Sequence, residues 1–214
     1  MTCIKTFLLS DIVGSTRWLQ LDPRSMSEAV IRHEALGESI ITASQGTLFK
    51  KRGEGDSLFA SFDSPTAAIE AAIRLQNAME SEIWPGDIDL KLRLAVHTGE
   101  VEWRDNDYFG LTLSRAARMR SAVIPGAILV SEVTMRLTTE ANLQGWVAHQ
   151  LGHHRLKDLL QPMGLILFVS PNFSGSTTIA TLEPRPHNLP IQTTRFIGRA
   201  DHLKGVVDTI KQHR

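Results

Sequence analysis

The 214-residue chain is 42% apolar and 21% charged, ordinary values for a globular protein with room for one good core and a second short segment. Its 23 Lys+Arg balance 23 Asp+Glu, so no broad basic surface for nucleic acid or an anionic membrane is indicated. The single cysteine, Cys3, excludes an internal disulfide; Asp11 ends the N-terminal apolar run before it could act as a signal peptide, and no run approaches the roughly 18 residues of a membrane span, so the expected setting is the reducing cytoplasm.

The first stretch, Thr6 to Thr16 (TFLLSDIVGST), reads as an apolar strand that delivers Asp11 to its carboxyl end and turns at Gly14 into a helix. A Gly14-Ser15-Thr16 turn entering a helix offers backbone N–H groups to phosphate, and the adjacent Asp11 favours a hard cation. A strand end whose Asp or Ser merely caps the next helix is an equally good reading of this stretch alone. Asp22-Pro23 then breaks the first helix, and Ser25 or Ser27 caps a longer one ending near Gln45-Gly46. His33 on it reads as a partly buried edge residue, since no partner stands at metal-ligand spacing.

Residues 47–62 (TLFKKRGEGDSLFASF) have the pattern of a β-hairpin with a charged Gly-rich tip. Such a tip would bring Asp56 towards Asp11. Ser64-Pro65 starts a helix from about Ala67 to Glu80 whose alanines allow close packing on a sheet. The alternating Leu90, Leu92, Leu94 and Val96 form a strand, followed by His97, which reads as structural. In DNDYFGLTLSRAARM, Ser114 and Arg118 stand four apart on one helix face, with Arg115 pointing elsewhere. A short strand AILVS, a helix from Glu132, and strands within Trp146–His153 and Gly164–Val169 complete the set; Lys157 lies between the last two. This order predicts an α/β (α+β) sandwich with a mainly antiparallel sheet, in which a central first strand next to the hairpin brings Asp11 and Asp56 together.

Four stretches in the same order, SDIVGST, GEGDSLFASF, HTGEV…DYFGLTLSRAARM and HRLKD, resemble the catalytic domain of the class III nucleotidyl (adenylate/guanylate) cyclases over roughly residues 4 to 170. The resemblance implies a ferredoxin-like palm, two Mg²⁺ or Mn²⁺ ions held at Asp11, Ile12 and Asp56, and active sites shared across a head-to-tail homodimer. It further implies that Arg118 stabilises the transition state, that Lys157 binds phosphate, and that Asp107 reads adenine. Two positions depart from the pattern. Ser114 stands where the family has a transition-state asparagine, and Arg52 where it has a base-reading lysine, although a shift of the tip could present Lys50 or Lys51 instead. The implied activity is conversion of ATP to 3′,5′-cyclic AMP and pyrophosphate in intracellular signalling. The other reading is a weak or inactive nucleotide-binding and dimerisation module that regulates an attached ATPase.

Residues 171–194 are rich in Pro, Ser and Thr and read as a linker. The segment 195–214 resembles the beginning of a signal-transduction ATPase region, here truncated. The chain contains no G-x-x-x-x-G-K-[ST] phosphate loop, so an ATPase function does not reside in it.

Overall fold

The computed structural model describes residues 1–49, 56–139 and 141–181. The chain runs through a long strand β1 (Thr2–Ile12), helices α1 (Ser15–Leu21) and α2 (Pro23–Ala43), and strands β2 (Thr47–Leu48) and β3 (Ser57–Phe62). Helix α3 (Pro65–Ser81), strands β4 (Leu92–Arg104) and β5 (Asp107–Phe109), and helix α4 (Leu111–Ala122) follow. Strand β6 (Ile128–Ser131), helix α5 (Glu132–Arg136), and strands β7 (Val147–His154) and β8 (Met163–Val169) close the order. Among the described residues these strands form one sheet in the order β2-β3-β1-β4-β6-β8-β7, with β5 paired to the outer end of β4. All pairs are antiparallel except β4 with β6, whose connection passes through α4. The expected mixed architecture with a mainly antiparallel sheet is therefore what forms.

Alternation along the strands sorts the core into two faces. Leu8 and Ile12 of β1 join Leu92, Leu94 and Val96 of β4 and the alanine-rich side of α3 in one cluster. Phe7 and Leu9 point the other way and pack with Phe59, Val101, Tyr108 and Ala116 beneath α4. A buried Gln76 on α3 ties the two strand starts together, donating to the carbonyls of Leu92 and Ala127 at 3.2 Å each.

Several local expectations need correction. The N-cap of α2 is Asp22, which accepts from the Ser25 amide at 3.1 Å, with Pro23 in the first turn; Ser25 and Ser27 already lie inside the helix. Ser64 caps α3, which begins at Pro65, two residues ahead of the expected start. His97 lies in the middle of β4 and does not follow it, because the same two-residue alternation continues to Arg104 and is held by pairing of β1 with β4 as far as Thr2–Glu102. His33 is fully buried, since α2 turns it inwards together with Met26, Ala29 and Ile41. Residues 171–181, read as the start of the linker, form no helix or strand, yet Ile179 packs with the core behind α4 and the Ala180 amide donates to Ala122 O at 3.0 Å. Among the described residues no helix is long and apolar enough to cross a membrane.

Candidate active site

Strand register builds the acidic end of the site. Asp11 of β1 pairs with Ser57 of β3, and the Ile12 amide donates to Asp56 O at 2.9 Å, so Asp11 and Asp56 stand at neighbouring strand ends, 45 residues apart in sequence but one step apart in the sheet. Behind them Gly14 adopts φ 70°, ψ 21°, the left-handed turn that glycine takes without a Cβ penalty, and the chain enters α1 at Ser15. The Ser15 hydroxyl donates to Asp56 Oδ2, which orients that carboxylate. Thr16 follows in the exposed first turn.

A cation next to Asp11 was not anticipated. Arg93 of β4 lies directly opposite Asp11 in the antiparallel pair, and its Nε donates to Asp11 Oδ1 at 3.0 Å while its Nη2 donates to Oδ2. The sequence signal exists, since Arg93 holds an alternate position of LRLAVHTG, but it acquires meaning only once β1 and β4 are known to be neighbours in this register. Arg120 of α4 also reaches towards this strand, with Nη1 3.5 Å from Ser10 O and a buried Nε without a hydrogen-bond partner.

Ser114 is brought to the same region: it lines a cavity of about 300 Å³ with Ser57, Leu9, Phe59 and Arg120. Arg118, one turn further along α4, pairs instead with Asp158 at 2.9 Å in the loop before β8. Lys157 of that loop is exposed. Asp107 accepts from the Tyr108 amide at 2.8 Å and lines a separate cavity of about 720 Å³ walled by Phe49 and Trp103. Arg52, with Lys50 and Lys51, lies outside the described residues.

The residues at the strand ends fit a hard divalent cation. Asp11, paired with Arg93, and Asp56, held by Ser15, stand at neighbouring strand ends, and Ile12 has only its backbone carbonyl to give. Among the described residues no cluster of three or more His, Cys, Asp or Glu side chains is present. Carboxylate oxygens are ligands for a hard cation such as Mg²⁺, which is commonly held by one or two carboxylates with substrate phosphates completing the shell.

The model of the adenylate and guanylate cyclase catalytic domain matches residues 3–160. The uncharacterized protein Rv0891c of Mycobacterium tuberculosis is 32% identical over 197 residues, which cover 91% of this chain and 66% of that protein. Putative adenylate cyclase 3 of Rhizobium meliloti is 25% identical over 205 residues, 94% of this chain but 34% of its own length. Among solved structures, an adenylate cyclase of Trypanosoma brucei in its monomeric state superposes with a TM-score of 0.72 at 20% identity, covering 84% of this chain and 95% of that one. The adenylate/guanylate cyclase/hydrolase from Silicibacter pomeroyi superposes at 0.66 with 25% identity, covering 80% and 99%. The chain belongs to the class III nucleotidyl cyclase family, as an adenylate and guanylate cyclase catalytic domain.

Proposed function

We propose that this domain converts ATP to 3′,5′-cyclic AMP and pyrophosphate as a homodimer, using two Mg²⁺ or Mn²⁺ ions. The observation that carries this reading is the meeting of Asp11 and Asp56 at adjacent strand ends in front of the Gly14 turn. Cations bound there would lower the pKa of the ribose 3′-hydroxyl and offset the charge of the triphosphate. The chain's own residues supply position and charge. Ser15 aims the Asp56 carboxylate, and the amides of the first turn of α1, which have no intrahelical acceptor, face the phosphates. A cation held at Asp11 would compete with the Arg93 fork for that carboxylate's oxygens. As the 3′-oxygen bonds to the α-phosphorus and the bond to the leaving pyrophosphate breaks, Arg118 of the partner subunit offsets the charge on the α-phosphoryl oxygens, while Lys157 holds the terminal phosphates. Positioning and charge account for most of the catalysis, because little covalent chemistry is left to the protein. Asp107 accepts a hydrogen bond from the adenine amino group, where guanine would place an oxygen against the carboxylate.

A second reading, a nucleotide-binding module that regulates an attached ATPase, draws on Ser114 in place of asparagine and on the pairing of Arg118 with Asp158. One experiment separates them. Purified protein is incubated with each of the four nucleoside triphosphates and Mn²⁺ or Mg²⁺, and products are identified by mass. Cyclic AMP is the expected main product, and Asp11→Asn or Asp56→Asn is expected to lower its formation roughly a thousandfold, because the ion's contribution is several kcal/mol. Tight nucleotide binding with no cyclic product under any condition would leave the module reading standing.

A further inference from the structure

On the other side of α4 from Ser114 lies a cavity of about 240 Å³ that has no part in the chemistry above, lined by His97, Arg115, Ser131, Glu132, Gln161 and Met163 among others. It is several times the roughly 30 Å³ that a water occupies in the liquid. His97 is 3% exposed. Its Nδ1 lies 2.8 Å from Ser131 Oγ, and its buried Nε2 has no hydrogen-bond partner. In the tautomer in which Ser131 Oγ, 2.7 Å from Thr134 Oγ1 and accepting from the Thr134 amide at 3.4 Å, donates to His97 Nδ1, Nε2 carries the proton and is a buried donor without an acceptor.

The charges at the wall point the same way. Arg115 is half-buried and makes no hydrogen bond or ion pair with any described residue. Burial first, and the charge of Arg115 second, push the His97 pKa down to about 4, so the ring is neutral at physiological pH. The carboxylate of Glu132 is already engaged by Arg136, whose Nη2 and Nε lie 2.6 and 3.2 Å from Oε1, and His153 stands 3.9 Å from Oε2. Arg115, with no ion-pair partner among the described residues, and His97 thus line one small cavity together with the Glu132 carboxylate held by Arg136, with Val133, Pro162 and Met163 as apolar wall.

We propose that this cavity binds a small oxyanion, a carboxylate or phosphate head seated on the Arg115 fork with His97 Nε2 as its further donor. The planar guanidinium matches both anions with two parallel N–H contacts, and neutral His97 adds a third contact without adding charge. The position is suited to regulation. Arg115 is the neighbour of Ser114 on α4, and residues 161–164 lead into β8 from the loop holding Asp158, the partner of Arg118. An anion bridging these walls would hold α4 against that loop.

The test is a titration of the purified chain with sodium phosphate and, separately, sodium acetate at constant ionic strength, read by the imidazole ¹⁵N resonances. The His97 Nε2 signal is expected to move saturably in the millimolar range with at least one of the two anions, while buried His33, which borders no part of this cavity, stays fixed as an internal control. The preferred anion identifies a tetrahedral or a planar head. Lys157→Ala is expected to leave the response intact, which separates it from phosphate held at the nucleotide site. Arg115→Gln is expected to weaken binding at least about tenfold, and Arg115→Lys, which keeps the charge but loses the fork, to fall between. An unmoved His97 signal with both anions, or a response undiminished in Arg115→Gln, would overturn the proposal. Binding is read without turnover, so the outcome does not depend on the cyclase reading.

Discussion

Ser114 and the two buried histidines each make a prediction at the scale of one side chain. Ser114 keeps a donor and an acceptor where the family resemblance expects asparagine, but its hydroxyl is shorter and would reach a bound ribose through a bridging water. A well-placed transition-state donor is worth about 2.7–4 kcal/mol, of which a water recovers part. Ser114→Asn is therefore expected to raise kcat by roughly tenfold or more with little change in KM, measured by steady-state cyclisation, because the contact matters most in the transition state. The histidines bear on stability. Burial lowers the pKa of His33 to about 4 against a weaker opposing pull from Asp56, and burial with the Arg115 charge lowers His97 to about 4. In the unfolded chain both titrate near 6.5, so between pH 6.5 and 4 the unfolded state binds more protons. Stability is full above pH 6.5 and is lost as pH falls towards 4, by roughly 3 kcal/mol for each histidine. Thermal melts from pH 7.5 to 4.5 should show this fall, and His33→Leu should flatten it by about half; a melting temperature independent of pH would contradict the account.

Helix α4 carries Ser114, Arg115, Arg118 and Arg120, so its seat on β4 sets the geometry of both cavities that flank it. That seat depends on Gly99. A Cβ there would lie 2.6 Å from Thr112 Oγ1 and 3.0 Å from Thr112 Cγ2, and Thr112 is not free to move aside because its hydroxyl donates to Glu100 O at 2.6 Å. Gly99→Ala is thus expected to lift the start of α4 and to cost about 1–3 kcal/mol, the usual penalty of overpacking. Chemical denaturation measures the loss. An unchanged midpoint would mean that α4 has more slack than this contact indicates.

For the whole molecule the expected unit is a dimer in which Asp11 of one subunit acts with Arg118 of the other. Inactive Asp11→Asn mixed with inactive Arg118→Ala is then expected to regain about a quarter of the wild-type rate, since random exchange makes half the molecules heterodimers with one intact site of two. The measurement is cyclisation after exchange has been demonstrated by mass. Absence of recovery would place both residues in one subunit's site. The chain spans 66% and 34% of the lengths of the two relatives compared.

Composition, alternation and helical spacing determined the element order and the mixed architecture, because these follow from which side chains must leave water along each segment. The ordered motifs marked Asp11, Asp56, Ser114 and Arg118, and their types already implied a metal-bound nucleotide. Register was beyond the reach of any local pattern. Arg93 is one charged residue in an alternating strand until β1 lies beside β4, and only that pairing places its fork on Asp11. His33 and His97 are likewise decided by tertiary structure: a lone histidine has the same spacing on a surface or in a core, and it is the closing of α2 over the sheet, and of α4 over β4, that removes both from water. Arg115 follows the same rule, since helical periodicity fixes its angle on α4 but only the wall formed by β4, α5 and residues 161–164 turns that direction into a cavity.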